Sequence, residues 1–394
     1  MFSFSTLSPF RKGSVQKIMR TRVLAAIGVI AATAFALAGC SGGGSSEASE
    51  TWRTATSAED GGGMDKLIED AQAEGAFNAM GLYEDWANYG GVLDAFSDKY
   101  DIEINNDTST GSSQDLVNAV VNRQGQDTSL DYLDTGLSYA VQADADGLLA
   151  EYLPATIDDV PEQYVGENST WINQYGGTIA IACDTSRIEV CPTSFQDLLD
   201  PQYQGQVALP NSPETSESSF MIVHAASLAN GGSFDDIEPG VEFFRDLQQS
   251  GSFLPVQGNA GTIETGETPI LLEWTYTLQP IADRLADESG IDVEVNIPTD
   301  GIVSSFYTAS LNDDAPHPAT ARLFYEFLFS DEGQNLLLAG GVSPVRLDAM
   351  IEAGTVDEDA LDALPSAELG EMPSLEQRQA NQQVIDAEWA SAIQ

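Results

Sequence analysis

From residue 76 onward, short runs rich in apolar, β-branched and aromatic residues alternate with segments whose apolar residues recur every three or four positions. Strand-type and helix-type periods in alternation restrict a chain to α/β architectures with largely parallel strands. The expected strands are 76–82, 102–106, 130–134, 178–182, 207–210, 270–272, 293–297 and 305–310. Between them, Val92, Leu93, Phe96 and Tyr100 form one stripe, and Leu116, Val117, Val120 and Val121 another. Both read as core-facing helix surfaces, not as ligand contacts. With 394 residues, 42% of them hydrophobic, the chain has material for two medium cores, and two lobes are expected. No repeat of solenoid length is visible.

The amino-terminal region predicts export. From Met19 the chain reads Met-Arg-Thr-Arg, then an apolar stretch over 23–37, then Leu37-Ala38-Gly39-Cys40. This is a signal peptide with its three regions in order, and Met19 would be a conventional start for it. Its end resembles the lipobox of bacterial lipoproteins, which implies removal of 1–39 and a diacylated Cys40 holding the protein to the outer face of the cell membrane. The apolar stretch is short for a helix of ~20 residues spanning a bilayer. Residues 40–64, rich in Gly, Ser, Thr, Ala and Glu, predict a flexible linker.

Charge excludes some partners. The chain has 62 acidic and 15 basic residues, and Arg11, Lys12, Lys17, Arg20 and Arg22 precede the first acid, so cleavage leaves 10 − 62 = −52. Such a surface disfavours nucleic acid and anionic lipid headgroups. The charge reads first as a solubility or salt adaptation of the whole surface, and second as attraction for cationic solutes. Cys183 and Cys191, eight positions apart, match neither a zinc set nor a redox pair. In an exported protein a local disulfide is expected, with two buried free thiols as the alternative.

In open α/β sheets ligands bind at the carboxyl ends of strands, so the residues that follow each expected strand are the candidate site. They are Tyr83 and Glu84; Thr110, Gly111, Ser112 and Ser113; Gly136 with Thr135 and Ser138; Ser216, Ser218 and Ser219 within 211–219; and Glu273, Trp274 and Tyr276. The turn 110–113 precedes a helix and offers hydroxyls and free N–H groups to an anion, or Ser112 or Ser113 simply caps that helix. The same pair of readings applies to Ser216, Ser218 and Ser219. Glu273 is expected to turn outward at its strand end, where a carboxylate beside the Trp274 and Tyr276 rings suits an ammonium group.

The order of motifs resembles the substrate-binding proteins of polyamine and ferric-iron ABC importers. The likeness rests on Asp85-Trp86-Ala87-Asn88-Tyr89-Gly90, on 197–207 from Asp197 through Pro201, Tyr203 and Gly205 to Val207, and on Ser330-Asp331-Glu332-Gly333-Gln334 after His317-Pro318. The resemblance implies a two-lobe type II periplasmic-binding fold, with lobe one over 65–183 and again over 299–394, lobe two over 184–298, and two crossing strands as a hinge. It implies a monomer that closes on a small solute and delivers it to a permease. It also implies substrate contacts from Tyr83, 110–113, Gly136, Tyr175, 216–219, Trp274 and Tyr276. Ferric-iron members place two adjacent tyrosines where this chain has Tyr276-Thr277, so an amine-bearing solute is expected ahead of iron. No cofactor, resident metal or catalytic residue is expected.

Enzyme chemistry finds little support in the sequence. His224 reads as mid-helix and structural, and His317, between two prolines, as a helix start. No nucleophile elbow, zinc-protease, P-loop or dinucleotide motif appears. Asp144-Ala145-Asp146-Gly147 lacks the flanking acids of a calcium loop and reads as a helix end. A secreted two-carboxylate hydrolase is the alternative from a different class.

Overall fold

The computed structural model describes residues 44–364 and 369–394. The expected signal segment and Cys40 lie outside the described residues. Helices α1 (Gly44–Thr54) and α2 (Met64–Glu74) lead into β1 (Ala76–Met80), α3 (Tyr89–Tyr100), β2 (Glu103–Asp107) and α4 (Ser113–Asn122). Then follow β3 (Tyr132–Gly136), α5 (Leu137–Ala145), β4 (Leu149–Ala150) and the long β5 (Trp171–Asp184). The next stretch holds β6 (Val207–Leu209), α6 (Glu217–Ala229), α7 (Glu238–Ser250), β7 (Phe253–Gln257), α8 (Ala260–Thr265), β8 (Ile270–Trp274), α9 (Thr275–Ser289) and β9 (Val293–Asn296). The chain returns through β10 (Ser304–Asn312), α10 (Pro318–Leu328), α11 (Asp331–Ala339), β11 (Ser343–Pro344), α12 (Leu347–Ala353), α13 (Glu358–Asp362) and α14 (Leu375–Ala392).

Local chemistry accounts for these elements. The stripe Val92, Leu93 and Phe96 is the buried face of α3, and Leu116, Val117 and Val120 are buried on α4. Val121, counted with that stripe, is exposed. A capping box between Ser112 and Asp115 starts α4, so that serine does cap its helix. The Asp144–Gly147 run ends α5, and His317 stands at the amino cap of α10.

Strand β5 joins the two lobes. Its first part, from Trp171 to Thr178, pairs antiparallel with β10, and Tyr175 and Gly176 also pair with β11. From Ile179 onward it pairs antiparallel with β8, and from Ile181 with β9. One continuous strand thus belongs to both lobes, and its change of partner falls at Thr178–Ile179, before the boundary expected at Cys183. The second crossing lies beside it, where the Ile179 amide donates to the Val303 carbonyl at 3.0 Å. Parallel pairing occurs in β1–β2, β6–β7 and β6–β8, while β10 runs antiparallel to β3, β4 and β5. The sheets are therefore mixed, because the two crossing strands enter them against the local direction.

Two segments lie elsewhere than expected. The linker reading of 40–64 does not hold for 44–63: α1 forms there, Trp52 is fully buried, and its Nε1 donates to Asp70 Oδ2 at 2.7 Å. The Arg322 Nε donates to the Ala55 carbonyl at 2.9 Å, tying the same segment to α10. A single large ring seated in the core anchors a segment whose composition gives no periodic signal. Helix α14, expected with lobe one, packs on lobe two: the Trp389 ring lies 5.3 Å from Phe244 and 6.3 Å from Phe253. Cys183 and Cys191 form a disulfide that closes the loop after β5.

Candidate functional site

Where the lobes meet, aromatic rings and carboxylates from both converge. Lobe one supplies Trp86 from the loop before α3, Asp134 from β3, Tyr175 from β5 and Tyr307 from β10. The β10 register sets Tyr307 opposite Gly136 on one side and opposite Tyr175 on the other, which stacks the two tyrosine rings at 5.9 Å. Lobe two supplies Glu273 and Trp274 from the end of β8 and Tyr276 from the first turn of α9. Trp274 and Tyr276 stack at 6.0 Å, and Tyr276 meets the edge of Trp86 across the lobe boundary at 5.4 Å. Gly177 permits this approach, because a Cβ there would fall 2.4 Å from the Tyr276 ring.

The carboxylates are held by neutral donors. Asp134 accepts from the Tyr175 hydroxyl at 2.6 Å, Gln174 Nε2 at 2.8 Å and Trp86 Nε1 at 3.1 Å. Burial pushes its pKa up to about 7 against the pull of those donors. Glu273 accepts from the Trp274 amide at 2.9 Å, and burial likewise raises it to about 7. The expectation that Glu273 turns outward fails: pairing with Ala180 of β5 draws it inside, leaving it 4% exposed. Burial, reinforced by nearby carboxylates, raises Tyr175, Tyr276 and Tyr307 well above the ordinary phenol range, so all three stay protonated. The Tyr276 hydroxyl is buried without a hydrogen-bond partner among the described residues. Among the described residues, neither Asp134 nor Glu273 has a cationic partner.

Glu217, at the first position of α6, is the third buried acid and is paired with Arg378 of α14. At the rim, Asp85 and Arg284 bridge the lobes at 3.2 Å, and the Tyr139 hydroxyl donates to the Glu214 carbonyl at 3.4 Å.

Of the residues expected from sequence, Gly136, Tyr175, Ser216, Ser218, Glu273, Trp274 and Tyr276 gather in or beside this cluster. Ser219 is turned to its own loop, its hydroxyl donating to the Asn211 carbonyl at 2.8 Å. Ser113 supports β3 by accepting from the Gly136 amide at 3.1 Å. Tyr83 and Glu84 are exposed, and Gly111 packs against the Tyr83 ring, while Thr110 and Ser112 are engaged with Asp115. These form a separate patch on lobe one. Sequence reasoning missed Trp86, Asp134, Glu217, Tyr307 and Arg378 as site residues.

The lobes are in contact, and the slit at the hinge, lined by Gly176, Gly177, Thr275 and Gly341 among others, measures about 10 Å³. A cavity of about 440 Å³ lies apart from the aromatic cluster, between the ends of β6 and β7 and the end of α14. Among the described residues no group of three or more His, Cys, Asp or Glu side chains is placed to hold a metal ion, and no helix is long and apolar enough to cross a membrane.

Residues 138–369 match the family described as bacterial extracellular solute-binding protein. The chain belongs to that family. This solute-binding protein matches no curated protein at a significant level. Its fold is shared with solved periplasmic binding proteins. AfuA from Actinobacillus pleuropneumoniae, with exogenous fructose-6-phosphate bound, is 18% identical at a TM-score of 0.63, covering 81% of this chain and 98% of its own. Iron-bound HitA from Pseudomonas aeruginosa is 21% identical at a TM-score of 0.59, covering 80% and 99%. AgtB from A. tumefaciens R10, in complex with agropinic acid, is 16% identical at a TM-score of 0.61, covering 81% and 98%. These likenesses show the two-lobe α/β fold, and the family match indicates an extracytoplasmic location.

Proposed function

We propose that this solute-binding protein captures a small amine-bearing cation, a polyamine or an amino-acid-like amine, in the aromatic and carboxylate cluster between its lobes. The loaded form then delivers the solute to the permease of an ABC importer, while a lipid on Cys40 keeps the protein at the membrane. One observation carries the reading: two buried carboxylates, without a cationic partner among the described residues, stand among the Trp86, Tyr175, Trp274, Tyr276 and Tyr307 rings. An ammonium group supplies the missing charge and is attracted by ring faces. Ferric ion is the second reading, placed behind because Tyr276 is followed by Thr277 and, among the described residues, no group of three or more His, Cys, Asp or Glu side chains is placed to hold a metal ion.

Tyr175, Glu273, Trp274 and Tyr276 line the solute in this proposal, with Trp86, Asp134 and Tyr307 added. Opening about the crossing at Thr178–Ile179 admits it, and closure brings Trp86 and Tyr276 back toward each other around it. The test is a calorimetric screen of the protein from Ser41 onward against putrescine, spermidine, γ-aminobutyrate, amino acids and ferric ion. Saturable heat with at least one amine supports the proposal; heat with ferric ion alone removes it.

A further inference from the structure

We infer that Glu217 is a built-in counter-anion: its carboxylate occupies a cradle made by Arg378, Ser305 and the amino end of α5, and so sets the interlobe site to refuse anionic solutes. This deepens the amine reading above and rests on its placement of the site.

Glu217 and Arg378 are each about as buried as a side chain can be, at 1% and 2% exposure. Glu217 Oε1 accepts from Arg378 Nη1 and, at 3.1 Å, from the Ser305 hydroxyl; Arg378 Nη2 donates to that same hydroxyl at 2.8 Å. Among the described residues Glu217 Oε2 has no hydrogen-bond partner, and it presses against Gly136, where an added Cβ would lie 2.5 Å from it. Gly136 is the amino cap of the nine-residue α5, so the unpartnered oxygen lies beside a helix amino end, whose dipole favours a negative charge. The Ser138 hydroxyl of that first turn is also buried and has no hydrogen-bond partner among the described residues. A guanidinium, hydroxyls and a helix amino end are the components of a site for a carboxylate or phosphate. Here the occupant is the chain's own carboxylate, delivered by lobe two into a cradle partly built by lobe one.

The consequence is charge selection. An incoming anion would find its donors taken by Glu217. Glu217 is close enough to Tyr276 and Tyr307 to raise both phenols electrostatically, which places its field in the same cluster.

The experiment compares wild type with Glu217→Ala and Glu217→Ser, by calorimetry and thermal shift, using sodium acetate and inorganic phosphate as probes and sodium chloride at matched ionic strength as control. The substitutions empty the space of one carboxylate and leave Arg378 in place. We expect each variant to bind acetate or phosphate at least tenfold more tightly than wild type, with a rise in Tm that chloride does not give. If a variant fails to fold in plain buffer, acetate or phosphate is expected to restore folding. Variants that fold yet gain no affinity for either anion overturn the inference, and so do variants that remain unfolded in both. A wild type that binds no amine beside variants that gain an anion would remove the amine reading alone; amine binding without that gain would remove this inference alone.

Discussion

The Tyr175 hydroxyl donates to Asp134 Oδ2 at 2.6 Å, with both residues withdrawn from solvent. A carboxylate kept by neutral donors in a buried place is strained when charged, and a solute cation relieves that strain. Stability and binding should therefore oppose one another at this residue.

Asp134→Asn should stabilise the ligand-free protein and abolish solute capture. The folded pKa of Asp134 is raised to about 7 from 3.8, so its contribution is fully present below pH 3.8 and is lost as pH rises through 7. At about 1.4 kcal/mol per unit, the charged carboxylate costs on the order of 4 kcal/mol at pH 8. Thermal melts at pH 8 should show the variant several degrees above wild type, with the difference disappearing toward pH 4. A variant that melts lower at pH 8 would contradict this account of Asp134.

Cation affinity should weaken as pH falls. Asp134 and Glu273 both sit at about 7 in the ligand-free form and must lose any proton they carry to pair with an ammonium group. Each adds up to about a tenfold loss per pH unit below that point. Titration with an amine at pH 8, 7 and 6 measures this; an affinity flat across that range would rule out neutralisation of these acids on binding.

Trp86→Phe separates the ring from its hydrogen bonds. Trp86 Nε1 donates to Tyr175 Oη at 2.7 Å and to Asp134 Oδ2 at 3.1 Å, while its ring meets Tyr276 and Tyr307. We expect a loss of roughly tenfold in affinity for Trp86→Phe, about 1.4 kcal/mol, and a larger loss for Trp274→Ala. Unchanged dissociation constants in both would place the solute elsewhere.

Trp52→Ala should destabilise the fold by about 3 to 5 kcal/mol, since the ring is fully buried and hydrogen-bonded to Asp70. Urea melts measure it. A change below about 1 kcal/mol, the scale of an ordinary surface substitution, would return residues 44–63 to the status of a loose tether.

Much of the architecture could be read from the order of strand and helix periods, because α3 and α4 bury one continuous stripe each. The crossing in β5 was harder to see: its run from Trp171 to Asp184 is buried almost throughout and shows no alternation to mark where partners change. The candidate site was legible where its residues follow a strand end, as at Glu273, Trp274 and Tyr276. Asp134 was read as the end of an apolar strand, since its importance depends on Tyr175, 41 positions away. Glu217 is an ordinary first-turn acid until Arg378, 161 positions later, packs against it. Trp86 lies in the Asp85–Gly90 run, and its importance depends on Tyr175, 89 positions away.

The most direct test of amine capture between the lobes is calorimetry of putrescine at pH 7 in two buffers of different ionisation enthalpy. The account predicts one saturable site per chain, with protons released from Asp134 and Glu273 as the cation enters, and loss of that site in Asp134→Asn. Binding with no proton release that survives Asp134→Asn, or no binding of any amine, would contradict it.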